Sequence, residues 1–242
     1  MSARPLEGEP SNVIRDISPR DSMYDGDEAA YFESGRSALA CIRQAMLTVG
    51  KQEVSSILDL PCGYGRVGRT LRAAFEDAEL IACDIDREGV DYCAQMLGAT
   101  PVYSGYSPSG IEIPHEVDLI WCGSLLSHLD SFRWQGFLSL FARYLAEGGV
   151  LAFTTHGREA AERLRDLTMT DFSRPVENMI ADYETYGFAY SDYYESPREY
   201  GVSLSSPAWV RGELEKLPRL RLVSHTEAAW HVHQDVVVCT PA

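Results

Sequence analysis

The segment Ile57-Leu-Asp-Leu-Pro-Cys-Gly-Tyr-Gly-Arg66 decides the fold of this chain. An apolar run over 54–60 leads into it, and an amphipathic stretch continues to Phe75. This order predicts a buried strand, a tight turn and a helix. Gly63 and Gly65 let the backbone approach a ligand closely, and the start of a helix offers free N–H groups. The turn is therefore predicted to bind a ligand at the carboxyl end of a strand.

A second apolar run, Leu80-Ile-Ala-Cys83, ends at Asp84. An acid about 20 residues beyond a glycine loop is placed to accept hydrogen bonds from ribose hydroxyls. The loop and Asp84 together predict that a nucleoside-containing cofactor binds at the carboxyl edge of a parallel sheet.

The glycine spacing alone does not identify the cofactor, because Gly63-x-Gly65-x-x-Gly68 also matches the fingerprint of dinucleotide-binding folds. Three features argue against NAD. We expect Asp59 to place a negative charge at the mouth of the loop, where it would repel a pyrophosphate. Pro61 has no N–H to offer a phosphate. About fifty residues also precede a motif that usually opens a dinucleotide-binding fold.

The quoted segment resembles motif I of the class I S-adenosylmethionine-dependent methyltransferases, commonly Asp-Leu-Gly-Cys-Gly-x-Gly, with Pro61 in place of the first glycine. Two further stretches resemble the same family. Residues 117–129, Val-Asp-Leu-Ile-Trp-Cys-Gly-Ser-Leu-Leu-Ser-His-Leu, look like its fourth strand and following loop. Residues 142–156, Ala-Arg-Tyr-Leu-Ala-Glu-Gly-Gly-Val-Leu-Ala-Phe-Thr-Thr-His, look like its helix, glycine turn and fifth strand. The resemblance covers roughly residues 54 to 156 and implies S-adenosylmethionine as the cofactor.

The resemblance also implies which residues contact the cofactor. Asp84 would hold the ribose, Asp59 the methionine ammonium, and Ser104 the adenine amino group in place of the usual acid. The residues predicted to bind the cofactor are Asp59, Pro61, Cys62, Gly63, Tyr64, Gly65, Asp84, Ile85, Ser104, Cys122, Gly123 and Ser124.

Alternating strands and helices predict an α/β fold with a doubly wound, mostly parallel sheet of the Rossmann-like methyltransferase type, and helices on both faces. The predicted strands are 54–60, 79–84, 101–104, 117–122, 150–155, 220–225 and 232–239. The last two are joined by a connection too short for a parallel crossover, so they should be antiparallel, which gives a reversed C-terminal strand.

We expect residues 1–20 to form a mobile arm and residues 21–242 to form one methyltransferase domain. Within it, 21–50 would be an N-terminal helical lid, with Tyr31, Phe32 and Gly35 nearest the cofactor, or would simply pack on the sheet. Residues 157–206 would be a loop-rich substrate cap whose tyrosines and Phe188 either pack together or form an aromatic wall.

Composition narrows the partners. The chain has 242 residues, a formal charge of −15 and only two lysines, Lys51 and Lys216, so a nucleic-acid partner is not expected. It has no apolar run long enough for a membrane span and no Cys-x-x-Cys pair among its six cysteines. We expect a cytoplasmic protein with reduced cysteines. Its oligomeric state stays open.

Methyl transfer to a hydroxyl usually needs a base. The catalytic candidates are His128, His156 and His233, with Asp235 beside the last, and His128 and His156 lead because they follow strands four and five. We see no metal-ligand spacing and expect no metal.

These features predict an S-adenosylmethionine-dependent methyltransferase that acts on an oxygen or nitrogen of a small molecule. Two alternatives stay open. One is an NAD(P)-dependent oxidoreductase, although the chain lacks a Tyr-x-x-x-Lys pair. The other is a non-catalytic S-adenosylmethionine-binding protein.

Overall fold

The computed structural model describes residues 10–166, 172–194 and 200–242. Seven strands form one sheet in the order β3-β2-β1-β4-β5-β9-β8. Their bounds are β1 Ser56–Asp59, β2 Glu79–Asp84, β3 Thr100–Tyr103, β4 Val117–Cys122, β5 Leu145–His156, β8 Leu220–Trp230 and β9 Gln234–Pro241. Strands β1 to β5 pair in parallel, whereas β9 is antiparallel to both β5 and β8. The predicted doubly wound sheet with its reversed C-terminal strand is confirmed.

Helices cover both faces of this sheet. Their bounds are α1 Glu28–Val49, α2 Gly68–Ala74, α3 Arg87–Leu97, α4 Ser131–Tyr144, α5 Arg158–Asp166, α6 Val176–Tyr186 and α7 Pro207–Glu215. Neighbouring strand residues point to opposite faces. Ile57 accordingly joins the apolar layer under α1, α2 and α3, while Leu58 joins the layer under α4 and α7. Both layers are needed to bury the central strands, which explains their continuous apolar runs.

Several strand boundaries differ from the prediction. β5 begins at Leu145 and not at Val150. Its pairing with β4 shifts register between Val117 and Leu119, and Gly148 adopts a positive φ of 69° in this irregular stretch. β8 extends to Trp230 and β9 begins at Gln234. The expected six-residue connection is therefore a turn of three residues, in which His231 and Val232 both adopt a positive φ of 52°.

The segment 157–206 is more regular than the predicted loop-rich cap. Beside α5 and α6 it contains a hairpin of β6 (Phe188–Asp192) and β7 (Gly201–Ser205). Met179, Ala189 and Leu204 belong to a separate apolar cluster within this segment. Helix α6 was not predicted because it is short and lies between Pro175 and Gly187, two residue types that are typical of loops. Residues 167–171 and 195–199 of the expected cap lie outside the described residues.

The N-terminal segment is anchored to the domain from Ile14 onward. Arg69 on α2 donates to the carbonyl oxygens of Ile14 and Asp16 at 3.1 and 2.7 Å, and the Tyr92 hydroxyl on α3 donates to Asp16 O at 2.8 Å. Residues 1–9 of the expected mobile arm lie outside the described residues. The part from Ile14 to Arg20 therefore lies against the helices that follow the glycine loop.

Candidate active site

A cavity of about 440 Å³ opens at the carboxyl ends of β1, β2 and β4, where doubly wound sheets bind ligands. Nine of the twelve predicted cofactor-binding residues line it. They are Pro61, Cys62, Gly63, Tyr64, Asp84, Ile85, Ser104, Gly123 and Ser124. The other three predicted residues, Asp59, Gly65 and Cys122, do not line this cavity.

The glycine loop is held in place from behind. Gly63 and Gly65 have positive φ values of 49° and 76°, which side-chain-bearing residues rarely adopt. A Cβ on Gly89 of α3 would lie 2.6 Å from the carbonyl oxygen of Gly63, so α3 packs directly against the loop. A Cβ on Gly65 would meet the Leu97 side chain at 2.8 Å. Gly65 therefore serves loop packing and faces away from the cavity.

Asp84 ends β2 and faces the cavity with its side chain nearly buried. One carboxylate oxygen accepts the Gly63 N–H at 2.7 Å, and the other accepts the Asp86 N–H at 3.0 Å. Burial raises the pKa of the Asp84 carboxyl, whereas these backbone hydrogen bonds lower it. Each oxygen keeps a lone pair for a further donor, as recognition of a ribose diol requires.

Asp59 differs from its prediction. Its side chain is only 1% exposed, and neither carboxyl oxygen has a hydrogen-bond partner among the described residues. Burial, and secondarily the nearby Asp84, raises the pKa of Asp59 to about 8. The carboxyl lies beneath the loop, and its raised pKa favours the neutral form. The expected position of the Asp59 carboxyl at the loop mouth was wrong, because β1 turns this side chain toward the interior.

Because Asp59 is buried, its carboxyl should lower the unfolding free energy as pH rises, and an Asp59→Asn substitution should remove this pH dependence. The carboxyl has an ordinary pKa of 3.8 in the unfolded chain and about 8 in the folded protein. Only well below pH 4 is the carboxyl protonated in both states. As pH rises from there toward 8, it ionises in the unfolded chain first, and this ionisation stabilises the unfolded state relative to the folded one. We expect Asp59→Asn to gain roughly 4 to 5 kcal/mol in unfolding free energy, relative to the unmodified protein, between pH 4 and pH 8. Denaturant titrations at both pH values measure this, with the exposed Asp77→Asn as control; equal differences at both pH values would contradict it.

The turn after β4 brings a strained residue to the cavity. Ser124 adopts a positive φ of 60°, which is uncommon for a residue with a side chain. Its N–H donates to Thr154 Oγ1 at 2.8 Å. Cys122 is fully buried in the layer under α4 and therefore does not reach the cavity.

The three predicted catalytic histidines lie in one row, but only His128 lines the cavity. The ring centroids of His128 and His156 are 5.7 Å apart, and those of His156 and His233 are 5.9 Å apart. Burial, and then the neighbouring His128 and His233, lowers the pKa of His156 to about 3. Asp235 is also remote, because its buried carboxylate contacts His225 Nε2 at 2.8 Å. His128 is thus the predicted base that the structure brings to the cavity.

Sequence reasoning missed several cavity residues. Arg66 lines the cavity directly after the glycine loop, and burial lowers the pKa of its guanidinium, while Tyr31 and Asp21 raise it. Trp121 and Trp230 also line the cavity and meet edge to face at 5.4 Å. Tyr200, which the expected aromatic wall did include, stacks on His128 with centroids 5.1 Å apart. Only Arg66 carried a sequence signal, which was its position beside the loop.

Other aromatic residues of the expected wall contact one another or neighbouring aromatic rings and do not line the cavity. Of its seven residues, Tyr200 lines the cavity. Phe188 stacks on Trp209 at 4.2 Å, and Tyr193 stacks on Phe172 at 5.5 Å. Tyr186 is 73% exposed.

The expected lid is a packed helix preceded by cavity-lining residues. On α1, Tyr31 is buried and donates to Asp21 Oδ2 at 2.6 Å, and Gly35 contacts Thr70 closely. Asp21 and Met23, which precede α1, are the residues of this segment that line the cavity.

Other expected absences can be stated only for part of the chain. Within residues 10–166, 172–194 and 200–242, no group of three or more His, Cys, Asp or Glu side chains is arranged to hold a metal ion. Over the same ranges, no helix combines the length and apolarity needed to cross a membrane.

Comparison with known proteins agrees with this geometry. Residues 58–151 match the family model described as "Methyltransferase domain". No curated protein sequence matches the chain.

Solved structures share the fold at low identity. An S-adenosylmethionine-dependent methyltransferase from Clostridium acetobutylicum is 14% identical, with a TM-score of 0.58 over 91% of this chain and 96% of that one. The structure titled as the DhpI–SAH complex is 18% identical, with a TM-score of 0.56 over 92% of each chain. The glycopeptide N-methyltransferase MtfA complexed with S-adenosyl-L-methionine is 15% identical, with a TM-score of 0.54 over 78% of this chain and 87% of that one.

At these identities the structural likeness shows the fold alone. Residues 58–151 match a methyltransferase domain, and over these residues the predicted resemblance to the class I S-adenosylmethionine-dependent methyltransferases, with that compound as cofactor, is confirmed.

Proposed function

We propose that this enzyme transfers a methyl group to an oxygen or nitrogen atom of a small organic molecule, with His128 as the general base. One observation carries the proposal. A single cavity runs from the glycine loop and Asp84 to His128 and Tyr200, so it can hold cofactor and acceptor side by side. Such proximity converts a bimolecular transfer into a positioned displacement.

The cavity residues suit the chemistry of the cofactor. Asp84 has lone pairs for the ribose hydroxyls, Ile85 and Ser104 lie beside it for the adenine, and the Arg66 guanidinium suits the methionine carboxylate. When bound, S-adenosylmethionine supplies an electrophilic methyl on a sulfonium. These roles of Asp84, Ile85, Ser104 and Arg66 are part of the proposal.

His128 has the properties of a base. Its Nδ1 lies 2.7 Å from the carbonyl oxygen of Gly201, which can only accept, so Nδ1 carries the proton and Nε2 presents a lone pair. Burial lowers the pKa of His128, although the hydrogen bond to Gly201 raises it. The net lowering keeps the imidazole neutral near pH 7, which is the form that accepts a proton.

The lining indicates a small, partly apolar acceptor. Leu125, Leu129, Phe137 and Tyr106 line the cavity around His128 and contribute apolar surface. The formal charge of −15 disfavours a nucleic-acid acceptor. We also propose that the enzyme works in the cytoplasm.

Two experiments test the proposal against its rivals. Isothermal titration calorimetry with S-adenosylhomocysteine and with NADH should show micromolar binding of the first alone, because Pro61 lacks the backbone N–H that a pyrophosphate would use in the loop. Binding of NADH alone would favour an oxidoreductase.

The second experiment is a screen for turnover. A panel of small phenols, amines and amino sugars is incubated with enzyme and S-adenosylmethionine, and products heavier by one methylene are sought by mass spectrometry. Methylated products support the proposal. Tight binding of S-adenosylhomocysteine with no product across the panel would favour the non-catalytic alternative.

A further inference from the structure

A buried chain of side-chain hydrogen bonds ends at the base. It joins Ser124 after β4, Thr154 on β5 and Gln234 on β9 to His128. Thr154 is fully buried, and Gln234 is 5% exposed. A polar network in such surroundings persists only where its members satisfy one another.

The direction of every bond in this chain follows from its ends. The Ser124 backbone N–H can only donate, so Thr154 Oγ1 accepts it at 2.8 Å and must point its own proton elsewhere. That proton goes to Gln234 Oε1 at 2.6 Å. The other end of the amide is then an NH2 group, which donates to Ser124 Oγ at 3.1 Å.

The same assignment of donors and acceptors gives the direction of the hydrogen bond between Ser124 and His128. Ser124 Oγ already accepts from Gln234, and its own proton can point to His128 Nε2 at 3.4 Å. Nε2 has a free lone pair because Nδ1–H is committed to the carbonyl oxygen of Gly201. The distance is long for a hydrogen bond, as catalytic contacts often are before substrate binds. The strained φ of Ser124 holds its hydroxyl at this point.

We propose that Ser124 relays a proton from the methyl acceptor to His128, and that Gln234 and Thr154 are positioning residues that set the direction of this relay. The inference rests on the proposed function of His128. Both Ser124 and His128 line the cavity, so an acceptor hydroxyl or ammonium can reach Ser124 Oγ.

The step balances. The acceptor's lone pair forms the bond to the methyl carbon, and the carbon–sulfur bond breaks with its electron pair on sulfur. The acceptor's proton moves to Ser124 Oγ while the Ser124 proton moves to His128 Nε2. The imidazolium formed keeps its Nδ1–H on the Gly201 carbonyl oxygen.

The titratable rings that contact His128 stay uncharged near neutral pH. Among the described residues they belong to His156 on β5 and to Tyr193 and Tyr200 from the segment 157–206. The pKa of His156 is lowered to about 3, and that of Tyr193 is raised to about 12, chiefly by burial. Burial also raises the pKa of Tyr200. A charge introduced at position 234 should therefore change the pKa of His128.

Nitrogen-15 NMR of the histidine-labelled protein tests the network without any acceptor. We expect His128 to carry its proton on Nδ1. Ser124→Ala removes the donor to Nε2, which stabilises the neutral ring, so the pKa of His128 should rise. Gln234→Glu makes Ser124 donate to the new carboxylate and adds a negative charge, so the pKa should rise further, whereas the exposed Gln52→Glu should leave it unchanged.

The catalytic arm uses the best acceptor from the screen. Ser124→Ala should lower kcat roughly 10- to 100-fold, a larger factor than any accompanying loss of affinity for S-adenosylhomocysteine. Gln234→Glu should move the acid limb of the kcat profile to higher pH.

The two arms separate the possible failures. A proton on Nε2 of His128 in the unmodified protein, an unmoved pKa in Ser124→Ala, or full kcat in that variant would overturn the relay. Expected NMR behaviour with no methylated product from any acceptor would count against the proposed function instead.

Discussion

Replacing Asp84 with asparagine is expected to weaken the binding of S-adenosylhomocysteine by roughly 10- to 100-fold, the equivalent of one or two charge-assisted hydrogen bonds. Both carboxylate oxygens already accept backbone N–H groups, from Gly63 and Asp86. An asparagine keeps one acceptor oxygen, so its NH2 group must face one of these N–H donors. The substitution therefore disturbs the glycine loop and removes an acceptor for the ribose at the same time.

Calorimetry with S-adenosylhomocysteine measures this loss. Asp77→Asn is the matched control, because Asp77 is exposed and precedes the amino end of β2, at the opposite edge of the sheet. Circular dichroism melts of both variants verify that they fold. Unchanged affinity in a folded Asp84→Asn protein would remove Asp84 from the cofactor site and with it the basis for the proposed ribose contact.

His128→Gln should lower kcat by about 100-fold or more, which is the usual contribution of a general base. Glutamine fills a similar volume but cannot take up a proton, so affinity for S-adenosylhomocysteine should persist while turnover is lost. Because burial lowers the pKa of His128, the unmodified enzyme should keep its activity below the ordinary histidine pKa of 6.5.

Initial rates across pH 5 to 9 measure both effects, with the acceptor found in the screen. The control is His115→Gln, since His115 lies at the surface and contacts Glu79. Equal kcat in the His128 variant would mean that the acceptor loses its proton to water or needs no base.

The parts of the fold that could be predicted from sequence are those determined by residues adjacent to one another in the chain. The strand, turn and helix around Gly63 follow from adjacent residues, and Asp84 follows from the end of a short apolar run. The direction of the Asp59 side chain could not be predicted, because it depends on which face of β1 lies beneath the loop.

The parts of the site that could not be predicted depend on contacts between distant segments. The β6–β7 hairpin selects Tyr200 from the predicted aromatic residues for the cavity, and Gln234 reaches Ser124 because β9 runs antiparallel to β5. The sequence around Gln234 has no local pattern that indicates this contact. The choice of His128 over His156 and His233 likewise needed the three rings to be placed relative to the cavity.

The position of Arg69 couples two regions that the sequence separates widely. Its guanidinium donates to Gly65 O and Tyr64 O in the cofactor loop, and also to Ile14 O and Asp16 O ahead of α1. Ordering of one region lowers the entropic cost of ordering the other. Cofactor binding should consequently protect the chain near Ile14 from proteases. Deletion of the residues up to Asp16 should in turn lower the affinity for the cofactor.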